Sequence, residues 1–154
     1  VPLKIKPSYF YTLFRPSRCD LRLYLQQIGI EPSPPGPFEQ VLFQLGQRHE
    51  KNHLSTFSVF SDLTNKPPAN TLEEIRKGSP VIYQGEFCTQ IQIDGRMIEI
   101  VGIPDFIIKD GSGYFIRDCK IARHATEDRH PEIPRQLQIY GWLFEVHLNS
   151  SGIK

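Results

Sequence analysis

The tract from residue 81 to residue 121 constrains the fold most, because turn chemistry cuts it twice and Ile, Val, Phe and Tyr fill the intervals. Asp94-Gly95 has the composition of a two-residue hairpin loop, in which both central positions take positive φ. Asp110-Gly111-Ser112-Gly113 marks a second reversal. Residues 81–93, 96–109 and 113–121 are therefore read as three strands in an antiparallel meander. The segment before them has the helical period instead. Leu21, Tyr24, Leu25 and Ile28 recur at helical spacing behind Ser17-Arg18-Cys19-Asp20, which resembles a capping box with Asp in its last position. Gly29 suits a helix stop, and Pro32-Ser33-Pro34-Pro35-Gly36-Pro37 marks a loop. From Phe38 to about Phe57 the residues Val41, Leu42, Leu45 and Leu54 define a second helix, carrying Gly46, His49, Glu50 and His53. Pro67-Pro68 is expected to end the helical region, with a short turn of helix over 72–77. A last helix begins near Pro134, a residue suited to a first turn, and runs through Trp142 to about Val146. The expectation is one α/β domain over 1–154, mainly helical over 1–78, with the strands and a core helix over 79–154.

The chain is long enough for one core, and 39% hydrophobic with 23% charged residues argues against disorder. No apolar run approaches a membrane span and no signal-peptide pattern opens the chain, so no membrane partner is expected. Cys19, Cys88 and Cys119 are odd in number and scattered, which argues against a disulfide framework and points to a reducing, intracellular compartment. The net charge of +1 does not announce a nucleic-acid partner. Residues 1–30, however, hold Lys4, Lys6, Arg15, Arg18 and Arg22 against Asp20 alone. Such a stretch suits phosphates, but a short basic stretch is more often a plain solvated face. Because the chain opens at Val1 and stops at Gly152-Ile153-Lys154, soon after a helical pattern, a domain cut from a longer protein is expected.

The chemistry concentrates in the second hairpin. If its loop is Gly111-Ser112, Lys109 faces Tyr114, and the same register sets Asp118 opposite Asp105. Two carboxylates would then share a face with Cβ atoms about 4.5–5.5 Å apart. Lys120 points to that face and Cys119 away from it. Repulsion at about 5 Å and an effective dielectric of about 20 is roughly 3 kcal/mol. A divalent cation reverses its sign, and hard oxygen donors suit Mg²⁺ or Mn²⁺. Lys120 would help position an attacking water or offset charge growing on a phosphate. A three-residue loop would turn Asp105 to the other face. The hairpin alone also admits a bland reading, with Asp105 a turn residue and Asp118 and Lys120 a surface ion pair.

Gly102-Ile103-Pro104-Asp105 followed by Asp118-Cys119-Lys120 resembles the paired motif of PD-(D/E)XK nucleases, and more narrowly their RecB-like branch. Gly46-Gln47-Arg48-His49 is similar to that branch's Gly-x-x-His helix, and Gln136-Leu137-Gln138-Ile139-Tyr140 to its Gln-x-x-x-Tyr helix. Tyr11 and Arg18-Cys19-Asp20-Leu21-Arg22-Leu23-Tyr24-Leu25 resemble its opening helix. The likeness runs in order from about Ser8 to Tyr140.

The resemblance implies a restriction-endonuclease-like core, with the three-stranded antiparallel meander in a mixed sheet flanked by helices. It implies a metal-dependent deoxyribonuclease using Mg²⁺ or Mn²⁺, with His49, Asp105, Asp118 and the backbone carbonyl of Cys119 as metal ligands. Asp105, Asp118, Lys120, Gln136 and Tyr140 would form the catalytic set. Lys120 would activate the water or stabilise the transition state, and Gln136 and Tyr140, one turn apart, would face the scissile phosphate. Arg18 and Arg22 would contact the backbone of single- or double-stranded DNA. A helicase or further domains of a longer protein are the expected partners, in DNA repair or recombination. Without the other motifs, Tyr140 would be core packing beside Leu137 and Phe144, and Gln136 a backbone cap. Glu86 is a possible further acid. Two departures stand out. Some relatives hold an iron–sulfur cluster with one upstream and three downstream cysteines, and here none follows Cys119, so this chain does not support that cluster. The family core also expects a strand after the final helix, for which only Gly152-Ile153-Lys154 remains.

A rival comes from His49-Glu50-Lys51-Asn52-His53, an H-E-x-x-H string of the kind that binds zinc in metalloproteases, with Glu73 as a third ligand. It leaves the hairpin, Gln136 and Tyr140 unexplained. A third reading is a catalytically silent domain of the same fold that binds DNA or a partner protein.

Overall fold

A computed structural model describes residues 3–122, 126–150 and 152. The elements follow as β1 (Leu3–Ile5), α1 (Pro7–Phe14), α2 (Asp20–Gln27), α3 (Pro37–Leu54), β2 (Ser61–Asp62), α4 (Pro68–Lys77), β3 (Val81–Tyr83), β4 (Phe87–Ile93), β5 (Arg96–Gly102), β6 (Phe106–Asp110), β7 (Gly113–Arg117) and α5 (Glu132–Ser150). The fold is mixed α/β, with two mixed sheets flanked by helices. One sheet has the order β1-β5-β4 and the other β2-β3-β6-β7. β1 runs parallel to β5 and β2 parallel to β3, while the remaining neighbours are antiparallel.

The expected single meander of three long strands is corrected on this point. The first strand breaks at Gln84-Gly85-Glu86, where Gln84 has φ +56°, and the second at Ile103-Pro104-Asp105. Pro104 has no N–H to give a ladder. At Gly85 a Cβ would lie 2.8 Å from Ile107 Cδ1, so a side chain there would collide with β6. The breaks lie side by side: Phe87 pairs with Gly102 on one side and Tyr83 with Phe106 on the other. Both chains therefore leave one sheet for the other at the same level. The amide of Gln84 donates to the carbonyl of Asp105 across the gap at 3.0 Å.

The N-terminal part is mainly helical, with β1 and β2 each adding a short strand to a sheet. Pro67-Pro68 opens α4 rather than ending the helical region. Pro68 occupies its first turn, where no N–H is missed, and Gly78 closes it in the left-handed region at φ +74°. The box at 17–20 is absent: Cys19 precedes α2 without a side-chain cap, and Asp20 instead takes the Arg18 guanidinium through two 2.8 Å hydrogen bonds. Glu39 does cap α3, accepting from the Gly36 amide at 2.8 Å. α5 begins two residues before Pro134.

Ile82, Phe87, Ile107 and Leu143 are fully buried and tie both sheets to α5, while the equally buried Phe106 packs on His53, Phe57 and Tyr83. Gly102 lets the helices approach, because a Cβ there would lie 2.7 Å from Leu143 and 3.1 Å from both Pro7 and Tyr140. α3 has no fully buried residue, and Phe38, Val41, Leu42, Phe43 and Leu45 on it are exposed. Among the described residues no helix is long and apolar enough to cross a membrane.

Candidate active site

The β6–β7 hairpin has the register read from sequence: Lys109 pairs with Tyr114, and the last rung joins Phe106 to Arg117 around the Gly111-Ser112 loop. Asp105 and Asp118 flank the hairpin one residue beyond that rung, at the split between the sheets. Asp105 Oδ2 accepts a 2.6 Å hydrogen bond from the Cys119 amide. The Asp118 side chain is 4% exposed, and its Oδ2 meets the Lys120 ammonium. Burial, first, and then the Asp118 charge push the Asp105 carboxyl up to about 7, with Glu50 adding to the rise. The Cys119 amide and Lys120 oppose it.

Glu50 is the residue that the nuclease reading of the sequence missed. Its Oε1 accepts from Gln84 Nε2 at 2.7 Å, which places it beside the split. Its charge acts on Asp105 and Cys119, and burial followed by a hydrogen bond to Glu50 raises the Tyr83 phenol well above its ordinary range. Burial, then Asp105, then Glu50 push the Cys119 thiol up to about 11. The signal lay in the phase of α3. Gly46, Glu50, His53 and Leu54 are its partly buried positions, at helical spacing, whereas His49 is exposed.

His49 lines a cleft of about 350 Å³ with His53, Arg117, Asp118, Cys119 and Lys120. A neighbouring cleft of about 400 Å³ continues past Lys120 along Arg48 and Asn52. Among the described residues no three His, Cys, Asp or Glu side chains gather closely enough to hold a metal ion, so the expected set with His49 is not assembled. Nor is the zinc set of the rival reading. His53 Nε2 is 3.1 Å from Arg117 Nη1, its ring packs on Phe57 and Phe106, and Glu73 is ion-paired to Lys77. Burial, then Arg117, then His49 lower the His53 pKa.

Gln136 and Tyr140 are buried on α5. The Tyr140 hydroxyl donates to the Ile103 carbonyl at 3.2 Å, and Gln136 Nε2 donates to that hydroxyl at 3.4 Å. Burial, and after it the Asp118 charge, raise the Tyr140 phenol. Gln136 Oε1 is buried without a hydrogen-bond partner among the described residues. Arg18 is committed to Asp20, while Arg22 lines a separate cavity of about 520 Å³ between α2 and α3. Glu86 sits in the first break and acts on Cys88, not on Asp105. All three cysteines are free thiols. Of the expected strand after α5, residues 151, 153 and 154 lie outside the described residues.

No family model matches the sequence, and no curated protein matches it. Among solved structures, the chain is similar to the crystal structure of SSO0001, with a TM-score of 0.54 at 19% identity. The likeness covers 94% of this chain and 58% of that one, so this chain spans less than two thirds of its neighbour's length. At that identity the likeness speaks for the fold alone.

Proposed function

We propose that this chain is a metal-dependent DNA nuclease domain of the PD-(D/E)XK type, of the RecB-like branch and with a restriction-endonuclease-like core. The observation that carries the reading is that Asp105 and Asp118 flank the end of one hairpin, one residue beyond its last rung, with Lys120 on Asp118. A buried carboxylate pair is costly without countercharge, and a single lysine offsets only part of it.

A Mg²⁺ or Mn²⁺ ion fits the donors present. Mg²⁺ commonly keeps several waters and takes one or two carboxylates from the protein, so a closed cage of three or more side chains is not required. Asp105 and Asp118 would hold it, with Glu50 as the nearby third acid. When bound, the ion supplies positive charge for phosphate oxygens and lowers the pKa of a water. The chain's own groups do the rest. Lys120 holds a cation at Asp118, where charge on a phosphate would grow. Tyr140 and Gln136 fix the Ile103 carbonyl, and with it the segment that delivers Asp105. Arg48, Arg117 and His49 give the clefts a basic rim suited to a DNA backbone.

The Lys120–Asp118 ion pair, in which the protein supplies its own countercharge, favours a second reading, a catalytically silent binding domain of the same fold. One assay separates the two. End-labelled single- and double-stranded DNA is incubated with the protein in Mg²⁺, Mn²⁺ or EDTA, beside Lys120→Ala. The nuclease reading expects metal-dependent cleavage that Lys120→Ala abolishes while DNA binding persists. Binding with no cleavage in any metal supports the silent domain, and undiminished cleavage by Lys120→Ala removes the mechanism.

A further inference from the structure

Lys120 touches a second group besides Asp118. Its ammonium lies 5.3 Å from the centroid of the Tyr11 ring, within the range at which a ring face attracts a cation. Tyr11 is half-buried on α1, a helix anchored on β5 and α5 by the close approach of Pro7 to Gly102. Phe14, one turn further on, carries the Arg135 guanidinium of α5 at 5.5 Å. Two rings at i and i+3 on one face of α1 therefore each meet a cation of the C-terminal half.

A lysine side chain has a long flexible stem, and one carboxylate fixes its ammonium from one direction only. We propose that Tyr11 is a positioning residue for Lys120: its ring face gives the ammonium a second point of hold beside Asp118. α1 is then part of the candidate active site although it supplies no carboxylate or ligand. The consequence for turnover rests on the nuclease reading, while the contact itself does not.

The test replaces Tyr11 with Phe and with Phe bearing one, two and three ring fluorines, a series that drains the ring's negative face with little change of shape. Two quantities are read on each intact protein: the rate of acylation of Lys120, followed by peptide mass spectrometry, and kcat and KM for DNA cleavage. Weakening the ring's hold leaves more of the amine free to react. Acylation should therefore rise stepwise from Tyr11→Phe, reaching on the order of threefold with three fluorines. kcat should fall in step while KM holds. A flat acylation series overturns the role of Tyr11, even if the protein cleaves DNA. A rising series in a protein that cleaves no DNA upholds the contact and overturns the nuclease reading.

Discussion

The backbone amide of Cys119 donates a 2.6 Å hydrogen bond to Oδ2 of Asp105, closing the β6–β7 hairpin beyond its last rung. The Asp105 carbonyl meanwhile accepts from Gln84. One residue thus holds together the place where both sheets part. Asp105→Ala should leave the Cys119 amide without its acceptor and destabilise the fold by about 1–3 kcal/mol. Asp105→Asn retains an acceptor oxygen and should keep the bond. Urea unfolding of both proteins decides it: equal stabilities would mean that the bond is not structural.

Gly102 belongs to the Gly102-Ile103-Pro104-Asp105 motif, yet its reason in the structure is packing. A Cβ would enter the space of Leu143, Pro7 and Tyr140 at once. Gly102→Ala should cost about 1–3 kcal/mol through overpacking. It should also disturb the Tyr140–Ile103 hydrogen bond, read as a change in Tyr140 fluorescence or NMR shift. A variant as stable as the parent would show that α1 and α5 can move away freely.

The hairpin register was legible because Gly111-Ser112 makes a two-residue loop, and such loops leave one register for the strands they join. The sheet split was not. Residues 84–86 and 103–105 interrupt runs of strand formers, and a period-2 pattern does not record a change of partner. β1 and β2 have three and two residues, too few for any periodicity, and their parallel partners are distant in sequence. Pro67-Pro68 carried both possible meanings, an end or a start, and only the buried Thr71 and Ile75 on α4 decide for a start. On α3 the H-E-x-x-H string drew attention to its histidines. Adjacent positions on a helix point about 100° apart, so Glu50 reaches Gln84 at the split while His49 lies exposed along the cleft.

Glu74 gives a pH prediction independent of the carboxylate pair. The Ser61 hydroxyl, then that of Ser79, both at 2.5 Å, and the Lys77 ammonium at 2.9 Å pull its carboxyl down to about 2, from an ordinary 4.5. A lowered pKa contributes stability that is complete above 4.5 and is lost as pH falls from there towards 2. Glu74→Gln should therefore melt below the parent at pH 7, and the gap should close across that window. A gap that stays constant with pH would show that the bonds to Ser61 and Ser79 do not depend on charge.

α3 separates the two enzyme readings. If the site is a nuclease, Glu50→Gln should weaken cleavage, because it removes the third acid beside Asp105. His53→Ala should retain cleavage, since that ring packs on Phe106 and meets Arg117. His49→Ala tests the ligand role that the family resemblance implies, and full activity there would withdraw His49 from the site. A metalloprotease would need both histidines and Glu50. Zinc-dependent peptide hydrolysis that disappears in Glu50→Gln would overturn the nuclease assignment.

The carboxylate pair predicts opposite effects with and without metal. Burial and the Asp118 charge raise the Asp105 carboxyl to about 7, so in metal-free protein its ionised form is disfavoured. A raised carboxyl pKa means stability that is full below the unfolded value, near 4, and lost as pH rises through about 7. Asp105→Asn removes that charge with little change of shape. In EDTA at pH 8 it should melt at or above the parent, and the difference should vanish at pH 4. Excess Mg²⁺ or Mn²⁺ binds the folded parent preferentially, so the parent's melting temperature should rise with metal concentration. Asp105→Asn and Asp118→Asn should show much smaller rises, because each lacks half of the pair. Four sets of melting curves are enough: each protein in EDTA and in metal, at pH 4 and at pH 8. Equal metal-induced shifts in parent and variants would remove the shared cation site. A variant clearly less stable than the parent in EDTA at pH 8 would mean that the Cys119 hydrogen bond needs the full carboxylate, and that Asp105 is held for structure rather than for metal.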